Sequence, residues 1–187
     1  MLPSFLRADS RTSVLIERKF WMAIRKILLL GNPTLRIHCA SVKDPSSAVT
    51  QKTIRDLRDT LNDFRLRRGF GRGIAAPQIG STTRIIFIRS KGIGALVNPK
   101  ITLRSLRVFS LWDDCFSFPD ILVKVRRNAW VEVSYIDEHG KRKRLRAEGP
   151  LSELLQHEID HLDGVLAIDR AISPKHIILR SQRGKLP

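Results

Sequence analysis

The sequence predicts a single α+β domain. Three observations lead there. An amphipathic helical pattern occupies about residues 48–66, short alternating segments parted by turn residues fill about 84–147, and a second helix opens at Pro150. Helix, antiparallel-type strands, then helix is the order of a domain in which a helix lies against strands.

Each element has a local cause. Asp44-Pro45-Ser46-Ser47 supplies a turn and capping residues, and Val49, Ile54, Leu57, Leu61 and Phe64 recur behind it at helical spacing. Residues 70–80 read as a glycine-rich loop. Arg84–Arg89 and Ala95–Val97 read as short buried strands, with Asn98-Pro99 as a turn. Ile101–Leu111 alternates loosely and is expected to be one longer strand. Ile121–Val125 and Trp130–Ile136 also alternate, and Asp137-Glu138-His139-Gly140 is a hairpin turn into Arg144–Ala147. Pro150 suits a helix start and Gly164 its stop, with Leu151, Leu154, Leu155 and Leu162 as the buried side. No repeat or second domain is evident. The expected division is an N-terminal extension over 1–21, a catalytic domain over 22–173 and a basic tail over 174–187.

Composition narrows the setting. The chain has 187 residues, 42% of them hydrophobic, enough for one domain with a real core. Cys39 and Cys115 form no C-x-x-C pair and no disulfide framework, which favours a reducing compartment. No apolar run is long enough to span a bilayer, so no membrane partner is expected. Residues 1–21 contain Arg and Ser but also Asp9 and Glu17, a poor match to a transit peptide; Met22 offers an alternative start. The expected location is the bacterial cytoplasm, with mitochondrion or plastid as the alternative in a eukaryote. The formal net charge of +16 points to a polyanionic partner such as RNA or the ribosome, approached through the basic surface and the tail. Aromatic interleaving of the kind that stacks bases is absent.

The chemistry centres on Gln156-His157-Glu158-Ile159-Asp160-His161-Leu162-Asp163-Gly164. Four residues are slightly more than one helical turn, so His157 and His161 share a face and can hold one divalent metal. Glu158 is then placed to take a proton from an attacking water. A tetrahedral site needs a third protein ligand. His38, His139, His176 and Cys115 are all available, and Cys115 is the attractive one if the fold carries it to the helix. Gln78 in the glycine-rich loop carries an amide able to donate to a developing oxyanion. That loop is no nucleotide cradle, since no Lys-Ser/Thr follows its second glycine.

Three segments together resemble the peptide deformylase family: Gly73-Ile74-Ala75-Ala76-Pro77-Gln78-Ile79-Gly80, Cys115-Phe116-Ser117-Phe118-Pro119 and the Gln156–Gly164 segment. They stand in the family's order. Gly31–Arg36, Val97-Asn98-Pro99 and Val123–Tyr135 are also family-like, so the resemblance runs from about Met22 to Ser173. It implies strands around a central metal-binding helix, and removal of the N-formyl group from the N-terminal methionine of nascent polypeptides. It implies that Cys115, His157 and His161 bind Fe²⁺, or Zn²⁺, Ni²⁺ or Co²⁺ in its place. Glu158 would act as general base and then as proton donor to the leaving amine. Gln78 and the backbone N–H of Phe116 would stabilise the oxyanion, and Gly73, Ile74 and Phe116 would contact substrate.

The sequence departs from the family where Asp113-Asp114 stands for the usual Glu-Gly. Asp113 keeps a carboxylate on a stem one methylene shorter. Asp114 costs of order 1 kcal/mol if its backbone needs φ > 0. It also brings a charge that can make the attacking water more basic, serve as an extra ligand or narrow the formyl pocket. Phe116 is larger than the usual aliphatic residue. Two other readings follow: a deformylase-like hydrolase of another N-acyl group, and a catalytically inactive RNA- or ribosome-associated protein. A zinc endopeptidase is least supported.

Overall fold

The computed structural model describes residues 24–90 and 92–185; the expected extension over 1–21 lies outside them. Helix α1 spans Ala48–Arg68. Ser47 caps it by accepting from the N–H of Thr50, and Gly69, with φ 78°, ends it. Its buried stripe is Ile54, Leu57, Leu61 and Phe64, the positions that the periodicity selects. Leu57 and Leu61 are fully buried, each a gain of about 2 kcal/mol over exposure.

Among the described residues eight strands follow: β1 Gly73–Ala75, β2 Ile85–Ile88, β3 Gly94–Arg104, β4 Val108–Asp114, β5 Ile121–Asn128, β6 Trp130–Ile136, β7 Arg142–Glu148 and β8 Ile177–Leu179. They form an antiparallel sheet in the order β1-β2-β3-β6-β7 and a smaller one, β4-β5-β8, also antiparallel. Helix α2, Gly149–Leu162, lies in the middle, with every residue from Ser152 to Leu162 buried. Leu154, Leu155, Ile159 and Leu162 pack with Ala75, Ile86, Leu96 and Val133 of the larger sheet. Cys115, Phe118, Val123 and Val125 form a core under the smaller sheet with Leu35 and Leu166.

Three elements differ from the sequence expectation. Part of the glycine-rich loop is ordered: Gly73–Ala75 pairs with β2, and Ala76–Ile79 forms a 3-10 turn. All three residues of β1 are buried, so their backbone needs a ladder partner. Asn98-Pro99 does not turn the chain. Asn98 takes φ 52° and its amide bonds both the N–H and C=O of Val42, so β3 runs through with a register shift. The expected strand Ile101–Leu111 is broken at Ser105–Arg107, where the chain leaves one sheet for the other. Ser105 Oγ donates to the carbonyl of Arg107 at 2.6 Å and accepts from Trp130 N–H, which holds the corner.

The segment set apart as a tail also carries structure. β8 pairs with β5, and Arg180 N–H donates to the carbonyl of Asp120 at 2.7 Å. At the far end of α2, Gly164 takes φ 72°, and a Cβ there would sit 2.5 Å from the carbonyl oxygen of Arg36.

Candidate metal centre and catalytic cleft

Helix α2 is buried although half its residues are polar, so each polar group needs a partner. At its start Ser152 Oγ donates to Asn128 O, and Gln156 both donates to that carbonyl and accepts from Asn128 N–H. His157 and His161 face the turn after β4, which delivers Cys115. Cys115 Sγ lies 3.2 Å from His161 Nε2. Ligand atoms of Cys115, His157 and His161 all lie within 4.8 Å of one another.

The other nitrogen of each histidine completes the logic. His157 Nδ1 donates to the carboxylate of Asp113 at 3.0 Å, which leaves Nε2 for a ligand role. Arg127 donates to the same carboxylate at 3.0 Å, and both partners are almost fully buried. Burial alone would raise the Asp113 pKa, but His157 and Arg127 outweigh it and hold the carboxyl at about 2. Burial likewise works against the charged form of His157, yet Asp113 holds it well above its usual range. His161 is driven well below, by burial and then by the charge of His157.

Glu158 is buried, and its Oε2 has no hydrogen-bond partner among the described residues. Burial pushes its carboxyl up to about 7, with His157 opposing. Gly73 of β1 makes the room: a Cβ there would lie 2.7 Å from Glu158 Oε1. Gln78 is held by its own loop. Its Oε1 accepts from Ala75 N–H at 2.9 Å, so its NH₂ is the end facing Cys115 Sγ (3.5 Å) and Ser117 Oγ (3.4 Å).

These groups open onto a cleft of about 420 Å³. Phe116 forms part of its wall, stacked on Phe64 with centroids 4.0 Å apart and with Phe70 beside them. Gly71, at φ 130°, lets the chain pass Phe116, since a Cβ would sit 2.9 Å from the ring.

The donor set fits one divalent metal. Tetrahedral coordination with metal–sulfur near 2.3 Å and metal–nitrogen near 2.05 Å puts sulfur and nitrogen about 3.5 Å apart. The observed 3.2 Å is within a few tenths of that without any rearrangement. Asp113, Glu153 and His157 also cluster, but Arg127 occupies Asp113 and Arg72 occupies Glu153 at 2.6 Å.

Comparison with known proteins decides the family. Residues 24–176 match the family model described as polypeptide deformylase. The chain belongs to the polypeptide deformylase family. It is 39% identical over 148 residues to a peptide deformylase of Treponema pallidum, covering 78% of this chain and 86% of that one. It is 34% identical over 171 residues to peptide deformylase 2 of Nostoc, covering 86% and 93%. Among solved structures, the Thermotoga maritima peptide deformylase aligns with TM-score 0.73 at 32% identity, covering 81% and 99%. The Synechococcus elongatus enzyme in complex with actinonin aligns with TM-score 0.75 at 34% identity, covering 82% of each chain. As a deformylase, the chain is a metal-dependent hydrolase that removes the N-formyl group from nascent polypeptides.

Against that family, the Asp113-Asp114 departure acquires a structural account. Asp113 reaches His157 and Arg127 despite its shorter stem. Asp114 is the last residue of β4 with ordinary strand backbone, so it carries no φ > 0 cost. Among the described residues its carboxylate belongs to no cluster able to hold a metal; it accepts from Arg180 at 2.8 Å instead. Arg180 also donates to Pro119 O and covers the ring of Phe70 at 5.2 Å, at the mouth of the cleft. Gly73 lines the cleft, whereas the Ile74 side chain is fully buried among Ile54, Leu57 and Leu61 and is not part of its wall. His38 and His139 are exposed, and His176 bonds Ser173 beside Trp112.

Sequence reasoning missed Arg127, Asp160, Ser117 and Arg180. Arg127 had a signal: Val123, Val125 and Arg127 alternate on the buried face of β5, and a buried arginine requires acids. Asp160 is that second acid, bonded to Arg127 and to Arg170. Arg180 had none, since its partner lies 66 residues away.

Proposed function

We propose that Cys115, His157 and His161 hold the metal, Glu158 moves the protons, and Gln78 with Phe116 receives the oxyanion. The observation that carries this is a buried, unpartnered Glu158 carboxylate beside three converging ligand atoms at the foot of a cleft. A bound divalent ion supplies a Lewis acid and lowers the pKa of a water. Glu158 takes the proton of the attacking water as its oxygen bonds to the formyl carbon. The carbonyl oxygen, now negative, is met by Gln78 Nε2 and by the N–H of Phe116. The carbon–nitrogen bond then breaks, Glu158 passes its proton to the leaving amine, and formate departs. β1 is the edge of its sheet, so an extended peptide can run beside Gly73 and pair with its backbone.

The native metal is Fe²⁺ on this reading. A thiolate with two imidazoles also accepts Zn²⁺, Ni²⁺ and Co²⁺, so availability decides. The basic surface supports association with the ribosome, close to the nascent substrate. A nascent-chain substrate supports action in the cytoplasm or an organelle interior; among the described residues, no helix is long and apolar enough to cross a membrane.

The test is anaerobic purification, metal analysis, and formate release from formyl-Met-Ala-Ser with Glu158→Ala as control. About one equivalent of iron and Glu158-dependent release is expected. Metal-free folded protein, or release indifferent to Glu158, defeats the assignment. Zinc alone at full occupancy after growth with iron in excess defeats Fe²⁺.

A further inference from the structure

Helix α2 presents a second face. Glu153, Leu154, His157 and Glu158 line the catalytic cleft, whereas Gln156, Ile159, Asp160 and Asp163 line a separate groove of about 520 Å³ between the two sheets. The two share no lining residue. That volume falls within the roughly 300–1,000 Å³ of small-molecule sites.

The groove is strongly cationic. Arg84, Arg127 and Arg170 line it and are paired with acids, Arg84 with Asp163 and the other two with Asp160. Lys100 and Arg104 of β3 and Arg126 of β5 line it too, and among the described residues they form no ion pair. Three exposed cations left uncompensated around one concavity focus positive potential into it. Arg127 lies beneath them. It is 3% exposed and lines the floor of the groove.

We propose that this groove binds phosphate groups, carried on an RNA strand or as free phosphate. An anion with several acceptor oxygens meets the three rim cations together. The acids facing it are Asp160 and Asp163, whose charge Arg170 and Arg84 already balance, and His38 stands beside Asp163. Binding there leaves the catalytic cleft open, because it occupies the opposite face of the same helix. Only the RNA source rests on the ribosome reading above; the phosphate chemistry stands without it.

The test uses the full metal-loaded chain. A labelled twelve-nucleotide single-stranded RNA is titrated by anisotropy, and inorganic pyrophosphate by calorimetry, against Arg104→Glu/Arg126→Glu. Arg142→Glu/Arg144→Glu on β7 makes the same charge change away from the groove. Formate release by all three proteins confirms folding and metal loading. The groove variant is expected to bind at least tenfold more weakly at about 50 mM salt, with a salt slope shallower by about 1.4 for two lost strand contacts. The β7 variant is expected to shift far less. RNA binding without pyrophosphate binding identifies a strand site. Pyrophosphate binding that competes with RNA identifies a phosphate pocket. Equal weakening by both variants overturns the groove while leaving diffuse attraction to the ribosome intact. Failure of both probes to bind overturns it outright.

Discussion

Substituting Gly73→Ala tests whether Glu158 is positioned by the absence of a side chain opposite it. The added Cβ would stand 2.7 Å from Glu158 Oε1, and 3.0 Å from both Glu158 Cγ and Ile88 Cδ1. Ordinary contact begins near 3.4 Å, so the carboxylate must retreat by about 0.7 Å. It cannot share the movement with β1, whose backbone is laddered to β2. A misplacement near 1 Å costs up to about 100-fold, so kcat is expected to fall by roughly 10- to 100-fold. The backbone at residue 73 does not need φ > 0, so the fold tolerates alanine. The ligands are untouched, so bound metal stays at the wild-type level. The assay is formate release with kcat and KM resolved, alongside metal content and denaturant stability. Wild-type kcat at unchanged metal content would refute the reasoning.

Further outcomes follow from the same geometry. Asp113→Asn loses the charge that holds His157 and Arg127, and metal affinity should fall about 10- to 100-fold in chelator competition; unchanged affinity contradicts the positioning role. In the metal-free protein, Glu158→Gln should be as stable as wild type below about pH 4.5 and more stable above pH 7. The folded pKa is raised, so the native carboxyl favours folding only while protonated and loses that advantage as pH rises through about 7. The gap should approach about 3 kcal/mol at the alkaline end, and denaturant curves whose difference stays flat from pH 5 to 8 would contradict it. Gly164→Ala combines φ 72° with a 2.5 Å clash against backbone at Arg36, so it should cost more than about 2 kcal/mol while surviving folded molecules keep normal kcat.

What the chain revealed in advance was what repeats locally. Ile54, Leu57 and Leu61 recur at helical spacing, and the structure buries that stripe. His157 and His161 share a helical face for the same reason. The 3-10 turn at Ala76–Ile79 and the corner at Ser105 were illegible, because each is held by contacts with distant backbone. Ser105 takes its shape from Trp130 and Asn128, and Asn98 from Val42. Cys115 was a candidate ligand among four until the fold placed its sulfur beside His161. Arg180 shows the limit most plainly. No spacing rule links it to Asp114, yet that pair decides where the unusual charge of the second motif is spent.

The two cysteines have a practical consequence. Burial pushes the Cys39 thiol up to about 11, and its sulfur is packed beneath the larger sheet, so it carries almost no reactive thiolate at neutral pH. Cys115 lines the cleft, and its sulfur is covered whenever an ion sits on it. A small alkylating reagent under native conditions therefore counts the molecules that carry no metal, one adduct each. Mass spectrometry can then read the occupancy of a preparation before any substrate is added.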